Sequence, residues 1–275
     1  MMGYQSRNTE AAHRVLIELM QILGEYREKM ILIGGWVPYL HFGNEHIGSM
    51  DVDIALDKDI ISNNVYSTIR KILERHNYKS DNSQPFIFYR EVQVDYGVPV
   101  NVEVDFLAPE YGGTDKHHRT QIIQDIRARK ARGSDLAFEH PTRLRITGKM
   151  PNGADNTVEL RVSGIVPFIV MKGMALYDRL KEKDAYDIYF CLINFRGGLK
   201  SLVDEFYPLI NNKLIREGLS KIRSKFNSIG SVGSVAVADF LGIEPGDERT
   251  RIIRRSFEVV NEFLDTLKIQ PFPKE

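Results

Sequence analysis

The spacing of apolar residues changes near residue 164, and this change constrains the fold of the 275-residue chain more than any other feature. Before that point, short apolar or alternating segments predict β-strands at 30–33, 51–56, 85–94, 98–107, 142–149 and 157–162. Helical spacing predicts helices at 9–29, 36–42 and 62–76, and then at 165–180, 184–195, 199–209, 213–226 and 249–267, with a weak strand signal at 235–237. We therefore expect an α+β fold, with a mixed sheet flanked by helices over residues 1–163 and a helical domain over residues 164–275.

Composition narrows the function classes. Lys and Arg number 37 and Asp and Glu number 37, so the formal net charge is zero, and binding to nucleic acid would need a local basic patch. The single cysteine, Cys191, excludes a disulfide framework and a multi-cysteine zinc site. The chain starts without an apolar signal segment and has no apolar stretch long enough to span a bilayer, so we expect a cytoplasmic protein.

A glycine pair follows the first apolar strand. Gly34 and Gly35 stand directly after the run Met30–Ile33. Glycines at a strand end let backbone N–H groups approach a bound anion, because no Cβ intervenes. The alternative is an ordinary tight turn, and the spacing matches neither a Walker loop nor a Rossmann fingerprint.

Two acidic residues share one face of the next strand. Asp51 and Asp53 stand two positions apart, and residues at this spacing point to the same side of a strand. Like charges at this distance repel unless a cation lies between them. Magnesium, held by carboxylates and nucleotide phosphates, would supply that cation. The alternative is a solvated strand face.

A second acidic pair follows at Glu103 and Asp105 on another predicted strand. If this strand lies beside 51–56, one of the two completes a cluster of three carboxylates, which can bind two metal ions and clamp an in-line phosphoryl displacement. We favour Asp105 over Glu103 because a shorter side chain holds a metal more rigidly. The predicted metal ligands are therefore Asp51, Asp53 and Asp105.

The order Gly-Gly, Asp-x-Asp and a later acid resembles the DNA polymerase β-like nucleotidyltransferase superfamily. Within it, the chain is similar to the AbiEii-type toxins of type IV toxin–antitoxin systems. That branch has the pattern His-Arg-x-Ser/Thr-x-Asp-Ile-Asp, and here the stretch His46–Asp53 reads HIGSMDVD. Ile47 replaces the family arginine, so the role of that arginine is either unsupplied or supplied elsewhere. The implied fold is a polymerase β-like mixed sheet flanked by helices and followed by a helical domain.

The resemblance continues into the helical half. The toxin branch carries a helical lysine, a basic stretch and then Asp-x-x-Asp, which correspond here to Lys172, residues 179–183, and Asp184 with Asp187. Lys172 follows an apolar segment, where a lysine needs an anion, and a nucleotide phosphate would serve. The alternative is that Asp184 caps the helix and Lys172 extends to the surface.

The resemblance implies a metal-dependent enzyme that transfers a nucleoside monophosphate from an NTP to an acceptor hydroxyl. In that scheme Asp51, Asp53 and Asp105 hold two Mg²⁺ ions. The residues expected to bind the nucleotide are Gly34, Gly35, Ser49 and Lys172. Lys172 neutralises charge on the pyrophosphate, and Asp187 positions or activates the acceptor.

The acceptor is expected to be RNA. Basic residues concentrate within 127–149, 213–225 and 249–255, and three such stretches on a neutral chain favour a polyanion. The resemblance implies tRNA as the acceptor, a toxin role and a possible antitoxin partner. The alternatives are a nucleotidyltransferase that modifies a small molecule or a protein, and a catalytically inactive binding module of the same fold.

Overall fold

The computed structural model describes residues 6–57, 60, 64–109, 120–123, 126–139 and 141–273. The chain divides into two compact units. The sheet unit comprises Met2–Leu40 and Ile47–Gly164. The helical unit comprises His41–His46 and Ile165–Glu275.

The sheet unit holds the strands. Their bounds are β1 Met30–Ile33, β2 Asp51–Leu56, β3 Lys79–Ser80, β4 Ile87–Val92, β5 Val100–Pro109, β6 Thr120–Ile123, β7 Ile126–Ala131, β8 Thr142–Lys149 and β9 Asp155–Val162. The α-helices in the first part of the chain are α1 Ser6–Ile22, α2 Trp36–Phe42, α3 Asn64–Arg75 and α4 Leu136–Glu139, with 3₁₀ turns at Gly24–Lys29 and Gly43–Glu45.

The sheet is mixed, as expected. Its strand order is β3-β4-β5-β2-β1-β9-β8, and β7 pairs with both β5 and β6. Strands β1 with β9, β2 with β5, and β5 with β7 are parallel, whereas the other neighbours are antiparallel. Helix α1 packs on this sheet through an apolar stripe of completely buried side chains at Ala12, Val15, Leu16 and Leu19. The predicted mixed sheet flanked by helices is thus confirmed.

Burial explains why the sequence of β1 is continuously apolar whereas that of β2 alternates between acidic and apolar residues. All four side chains of β1 are buried, so it needs an unbroken apolar run. In β2, Val52 and Ile54 are completely buried while Asp51 and Asp53 are half-buried on the opposite face. The alternation therefore separates a core face from a polar face of the same strand.

The helical unit contains α5 Ile165–Arg179, α6 Glu182–Asn194, α7 Gly198–Phe206, α8 Lys213–Lys225, α9 Val232–Phe240 and α10 Asp247–Thr266, with a 3₁₀ turn at Tyr207–Leu209. The weak strand signal at 235–237 was wrong, because these residues lie inside α9. Helices α5 and α8 cross at Gly173 and Gly218, where a Cβ on Gly173 would lie 2.4 Å from the Gly218 carbonyl oxygen. No helix in the described part of the chain is long and apolar enough to cross a membrane.

Candidate active site

Strands β2 and β5 bring the two acidic pairs of the sequence together. They are parallel neighbours, with Asp51 opposite Glu103 and Asp53 opposite Asp105. Paired residues on adjacent strands point to the same face of a sheet, and the strands lie about 4.8 Å apart. The four carboxylates therefore share one face, which we call the acidic strand face.

Asp51 is held in place by two neighbours from its own unit. Ser49 donates a hydrogen bond from its hydroxyl to the Asp51 carboxylate. The indole N–H of Trp36 donates to the Asp51 carbonyl oxygen over 2.9 Å. Ser49 and Trp36 are both buried, so the start of β2 is fixed from two sides. The predicted contact of Ser49 with a phosphate stays a prediction, whereas its contact with Asp51 is a role that the sequence did not indicate.

Gly34 lies against the carboxylate of Asp53. Its φ angle is +72°, in the region that favours glycine, and a Cβ at this position would lie 1.9 Å from Asp53 Oδ2. The turn continues with the Val37 N–H donating to the Gly34 carbonyl oxygen over 3.1 Å at the start of α2. Both the turn and the close approach of Asp53 thus require glycine here. The phosphate contacts predicted for Gly34 and Gly35 stay predictions.

The acidic strand face carries the type of ligand atom that Mg²⁺ binds. Its members supply carboxylate oxygens, the ligands that Mg²⁺ prefers, and Asp105 is only 4% exposed. Within the described residues, however, no group of three or more His, Cys, Asp or Glu side chains is gathered to hold a metal ion. The backbone register therefore brings the predicted ligands to one face, while their side-chain positions do not form a ready three-ligand site.

In the helical unit, Lys172 lies between two carboxylates of α6. Its Nζ is 2.8 Å from Asp184 Oδ1 and 2.7 Å from Asp187 Oδ2. The residue is 8% exposed, so the alternative of a lysine extending to the surface was wrong. Asp184 lies inside α6, whose N-cap is Lys181, so the capping alternative was wrong as well. The anion that a buried lysine needs is supplied by α6 itself.

Further charged groups of the same unit join this cluster, which we call the buried ionic network after its buried members. It comprises buried Lys172, Asp184, Asp187 and His46, half-buried Lys183 and exposed Arg179. Arg179 Nε donates to Asp184 over 2.8 Å, and Lys183 Nζ donates to Asp187 over 3.1 Å. His46 Nε2 lies 3.0 Å from Asp187 Oδ1. The centroid of the His46 ring lies 4.8 Å from that of Phe190 and 5.8 Å from that of Tyr186.

The network fixes the charges of its members. Burial alone would lower the pKa of Lys172, but Asp187 and Asp184 raise it above its usual range. Burial alone would raise the pKa of Asp187, but Lys172, Lys183 and the bond to His46 hold it well below its usual range. Asp187 is therefore an ionised carboxylate that only accepts hydrogen bonds, so His46 donates to it from Nε2.

These contacts bear on the predicted roles of Lys172 and Asp187. Asp187 is fully buried and accepts from Lys172, Lys183 and His46, which favours positioning over activation of an acceptor. A contact between Lys172 and a nucleotide stays a prediction. His46 stands 141 positions before Asp187, so no local sequence signal connected them.

Many residues of the predicted basic stretches pair with acids of their own unit. The side chains at 127–130 lie outside those that the structure describes. The described ion pairs are Arg143 with Glu28, Arg145 with Glu159, Lys149 with Asp155, Lys221 with Glu217, Arg223 with Asp265 and Arg249 with Asp239. On α10, Arg251, Arg254 and Arg255 are exposed. The charge offered to a polyanion is therefore smaller than the sequence count implies.

Comparison with known proteins returned matches to solved structures alone. No family model matches the chain, and no curated protein matches it. The chain is similar to an antigenic nucleotidyltransferase-like protein from Paracoccidioides brasiliensis, with 16% identity over 82% of this chain and 93% of that one and a TM-score of 0.45. It is also similar to a STING-associated CdnE c-di-GMP synthase from Capnocytophaga granulosa, with 12% identity over 96% of this chain and 83% of that one and a TM-score of 0.26. Both similarities are too low to indicate a function.

Proposed function

We propose that the chain is a metal-dependent nucleotidyltransferase, which transfers a nucleoside monophosphate from an NTP to an acceptor hydroxyl. One observation carries the proposal: the parallel register of β2 and β5 places Asp51 opposite Glu103 and Asp53 opposite Asp105, on one face, beside the glycine turn at Gly34. Carboxylates in this arrangement suit a chemistry that handles phosphates through bound cations.

Each predicted residue has a definite task in this proposal. Asp51, Asp53 and Asp105 would hold two Mg²⁺ ions, which supply charge neutralisation for the triphosphate. Ser49 orients Asp51 through its hydrogen bond, and the backbone of the Gly34–Gly35 turn positions the phosphates. Lys172 neutralises charge on the pyrophosphate. Asp187, whose Oδ2 is 2.7 Å from Lys172 Nζ, positions the Lys172 side chain.

The proposed acceptor is RNA, with tRNA as the first candidate. The support is the exposed side of α10, where Arg251, Arg254 and Arg255 share one helical face, together with exposed Lys213 and Arg216 on α8. The roles as a toxin and as the partner of an antitoxin are part of the same proposal and rest on the sequence resemblance.

A transfer assay tests the proposal. The full chain is incubated with each labelled NTP, Mg²⁺ and total RNA, and label is expected at the size of tRNA. Asp51→Asn is expected to lower transfer by about 100-fold or more, because a charged group at the transition state is lost. Asp155→Asn, which neutralises an exposed carboxylate paired with Lys149, is the matched control and should transfer normally.

Two outcomes would contradict the proposal. If Asp51→Asn transfers nucleotide at the wild-type rate, the acidic strand face does not take part in the reaction. No transfer to RNA, protein or small acceptors with any NTP would favour the second candidate, an inactive binding module. Two observations favour that candidate: Ile47 replaces the family arginine, and the described carboxylates are not gathered around a metal position.

A further inference from the structure

A row of side chains extends the acidic strand face across β4 and β3. Glu103 is opposite Asp51 on one side and opposite Tyr89 on the other, and Tyr89 is opposite Lys79. Residues in cross-strand register point to the same face, so the Tyr89 ring lies on the same side of the sheet as the carboxylates. Two strand spacings separate Tyr89 from Asp51, which is roughly 10 Å.

Tyr89 differs from the other side chains of that face. On β1, β2, β4 and β5, its companions are aliphatic, amide or acidic: Ile31, Ile33, Ala55, Ile87, Glu91, Asn101 and Leu107, besides the four carboxylates. Tyr89 is half-buried, whereas Phe88, which points to the opposite face, is completely buried in the core. Among the described residues of these four strands, Tyr89 is thus the aromatic ring that this face presents to solvent.

Carboxylates lie near the hydroxyl of Tyr89. Glu103 is in cross-strand register with Tyr89, and Asp81 belongs to the segment between β3 and β4. Partial loss of water, the Glu103 carboxylate and the Asp81 carboxylate together raise the pKa of Tyr89, so the phenol stays protonated. Asp81 in turn is fixed by accepting from the backbone N–H of Ser83 over 2.7 Å and of Gln84 over 2.9 Å. The register of β4 and β5 therefore places the ring beside the acidic strand face.

We propose that Tyr89 is the surface on which the nucleobase of the NTP stacks. This inference rests on the proposed function and adds to it a site for the nucleoside half of the substrate. If Asp51 and Asp53 held the cations that bind the phosphates, the ribose would span part of the distance to Tyr89 and bring the base to the ring. Every nucleobase has a π-face, so stacking gives affinity without choosing strongly among bases.

The strand register separates the roles of Glu103 and Asp105. Glu103 stands between Asp51 and Tyr89 in the row, beside the ring, while Asp105 lies opposite Asp53 and is buried. Glu103 is then a positioning residue for the base, and Asp105 is the third predicted metal ligand.

Binding of two probes tests the inference on the full chain with Mg²⁺. The probes are each NTP and inorganic tripolyphosphate, which lacks the nucleoside, and affinity is measured by calorimetry. Tyr89→Ala is expected to weaken NTP binding by about 5- to 150-fold and to leave tripolyphosphate binding unchanged. Tyr89→Phe and Tyr89→Trp retain a ring and should bind NTP within a few-fold of wild type. Tyr96→Ala removes a fully exposed tyrosine of the sheet unit and is the matched control.

The outcomes separate this inference from the proposed function. NTP binding that is unchanged in Tyr89→Ala, or equal weakening of NTP and tripolyphosphate, overturns stacking. Loss of NTP binding in Tyr89→Phe overturns it too, because only the hydroxyl is removed. Asp51→Asn should weaken both probes, and if it weakens neither, the proposed phosphate site fails whatever Tyr89 does. Thermal melting of each variant confirms that it folds.

Discussion

The acidic strand face and the buried ionic network use carboxylates in opposite ways. On the strand face, Asp51 and Asp53 stand in register with Glu103 and Asp105, so like charges neighbour one another. In the network, the carboxylates of Asp184 and Asp187 lie against ammonium, guanidinium and imidazole groups of the same unit. Neighbouring like charges raise the electrostatic energy unless a cation joins them, whereas paired buried charges hold a fold together.

The difference assigns separate tasks to acids that look alike in the sequence. Asp-x-Asp on a strand and Asp-x-x-Asp on a helix both align carboxylates on one face. On the helix, Lys172, Arg179 and Lys183 approach those carboxylates closely enough to define their charge state. We therefore expect substitutions in the network to change stability first, and substitutions around the strand face to change activity first.

The largest effect is expected from Lys172→Met, which leaves Asp184 and Asp187 buried with fewer cations. Breaking a buried ion pair by removing one partner costs about 3–5 kcal/mol in the free energy of unfolding. Lys200→Met is the matched control, since Lys200 pairs with Asp204 at 3.3 Å but is 89% exposed, and such pairs contribute about 0–1 kcal/mol. Denaturant titration measures both. Equal losses would show that the network does not stabilise the helical unit.

The next effect is expected from Gly34→Ala. A residue with a Cβ at φ +72° costs about 1–2 kcal/mol, and here the Cβ also displaces the Asp53 carboxylate. Gly153→Ala is the matched control, because Gly153 has φ +85° with nothing within 4 Å of the added Cβ. Both variants should lose stability, but only Gly34→Ala should also lose nucleotide transfer. If the two lose transfer alike, the position of Asp53 does not matter for activity.

Ser49→Ala is expected to act on activity with little effect on folding. It removes the hydroxyl that donates to Asp51, and loss of a residue that orients a metal ligand typically costs about 10- to 100-fold in metal affinity or activity. Ser49→Thr keeps the hydroxyl and should restore most of the transfer rate. The dependence of that rate on Mg²⁺ concentration is the measurement. An unchanged Mg²⁺ dependence in Ser49→Ala would show that this bond does not position Asp51 for a cation.

The elements of the fold were predictable because their signals are local. The alternation over Asp51–Leu56 indicated both a strand and its polar face, and the strands predicted at 142–149 and 157–162 correspond to β8 and β9. The signal at 235–237 misled because three apolar residues are too few to show a helical period. Local signals thus identified most elements but not their partners.

The partners depend on register and long-range packing, which a single sequence does not contain. Nothing near His46 indicates that it meets Asp187, and the place of Tyr89 follows only from the pairing of β4 with β5. The sequence indicated that Lys172 needs an anion, but it could not rank a phosphate against the carboxylates of α6. The residues were predictable, and their contacts were not.

The smallest expected effect is a pH dependence of the free energy of unfolding that arises from the buried ionic network and not from the acidic strand face. Burial lowers the pKa of His46, so below about pH 6.5 the unfolded chain binds a proton that the folded chain does not. The free energy of unfolding should therefore fall as the pH decreases from 7 to 5. Asp184 and Asp187, whose pKa values are also lowered, keep their contribution until the pH falls below about 4.

His46→Gln isolates this titration, since the amide can still donate to Asp187 but binds no proton in that range. We expect its free energy of unfolding to change less between pH 7 and 5 than that of wild type. His76→Gln removes an exposed imidazole and serves as the matched control, which should follow wild type. His13, whose pKa burial also lowers, is present in all three chains, so its contribution cancels in the comparison. If His46→Gln keeps the full pH dependence, the acid sensitivity arises outside the buried ionic network, and the division of tasks between the two sets of carboxylates loses its pH signature.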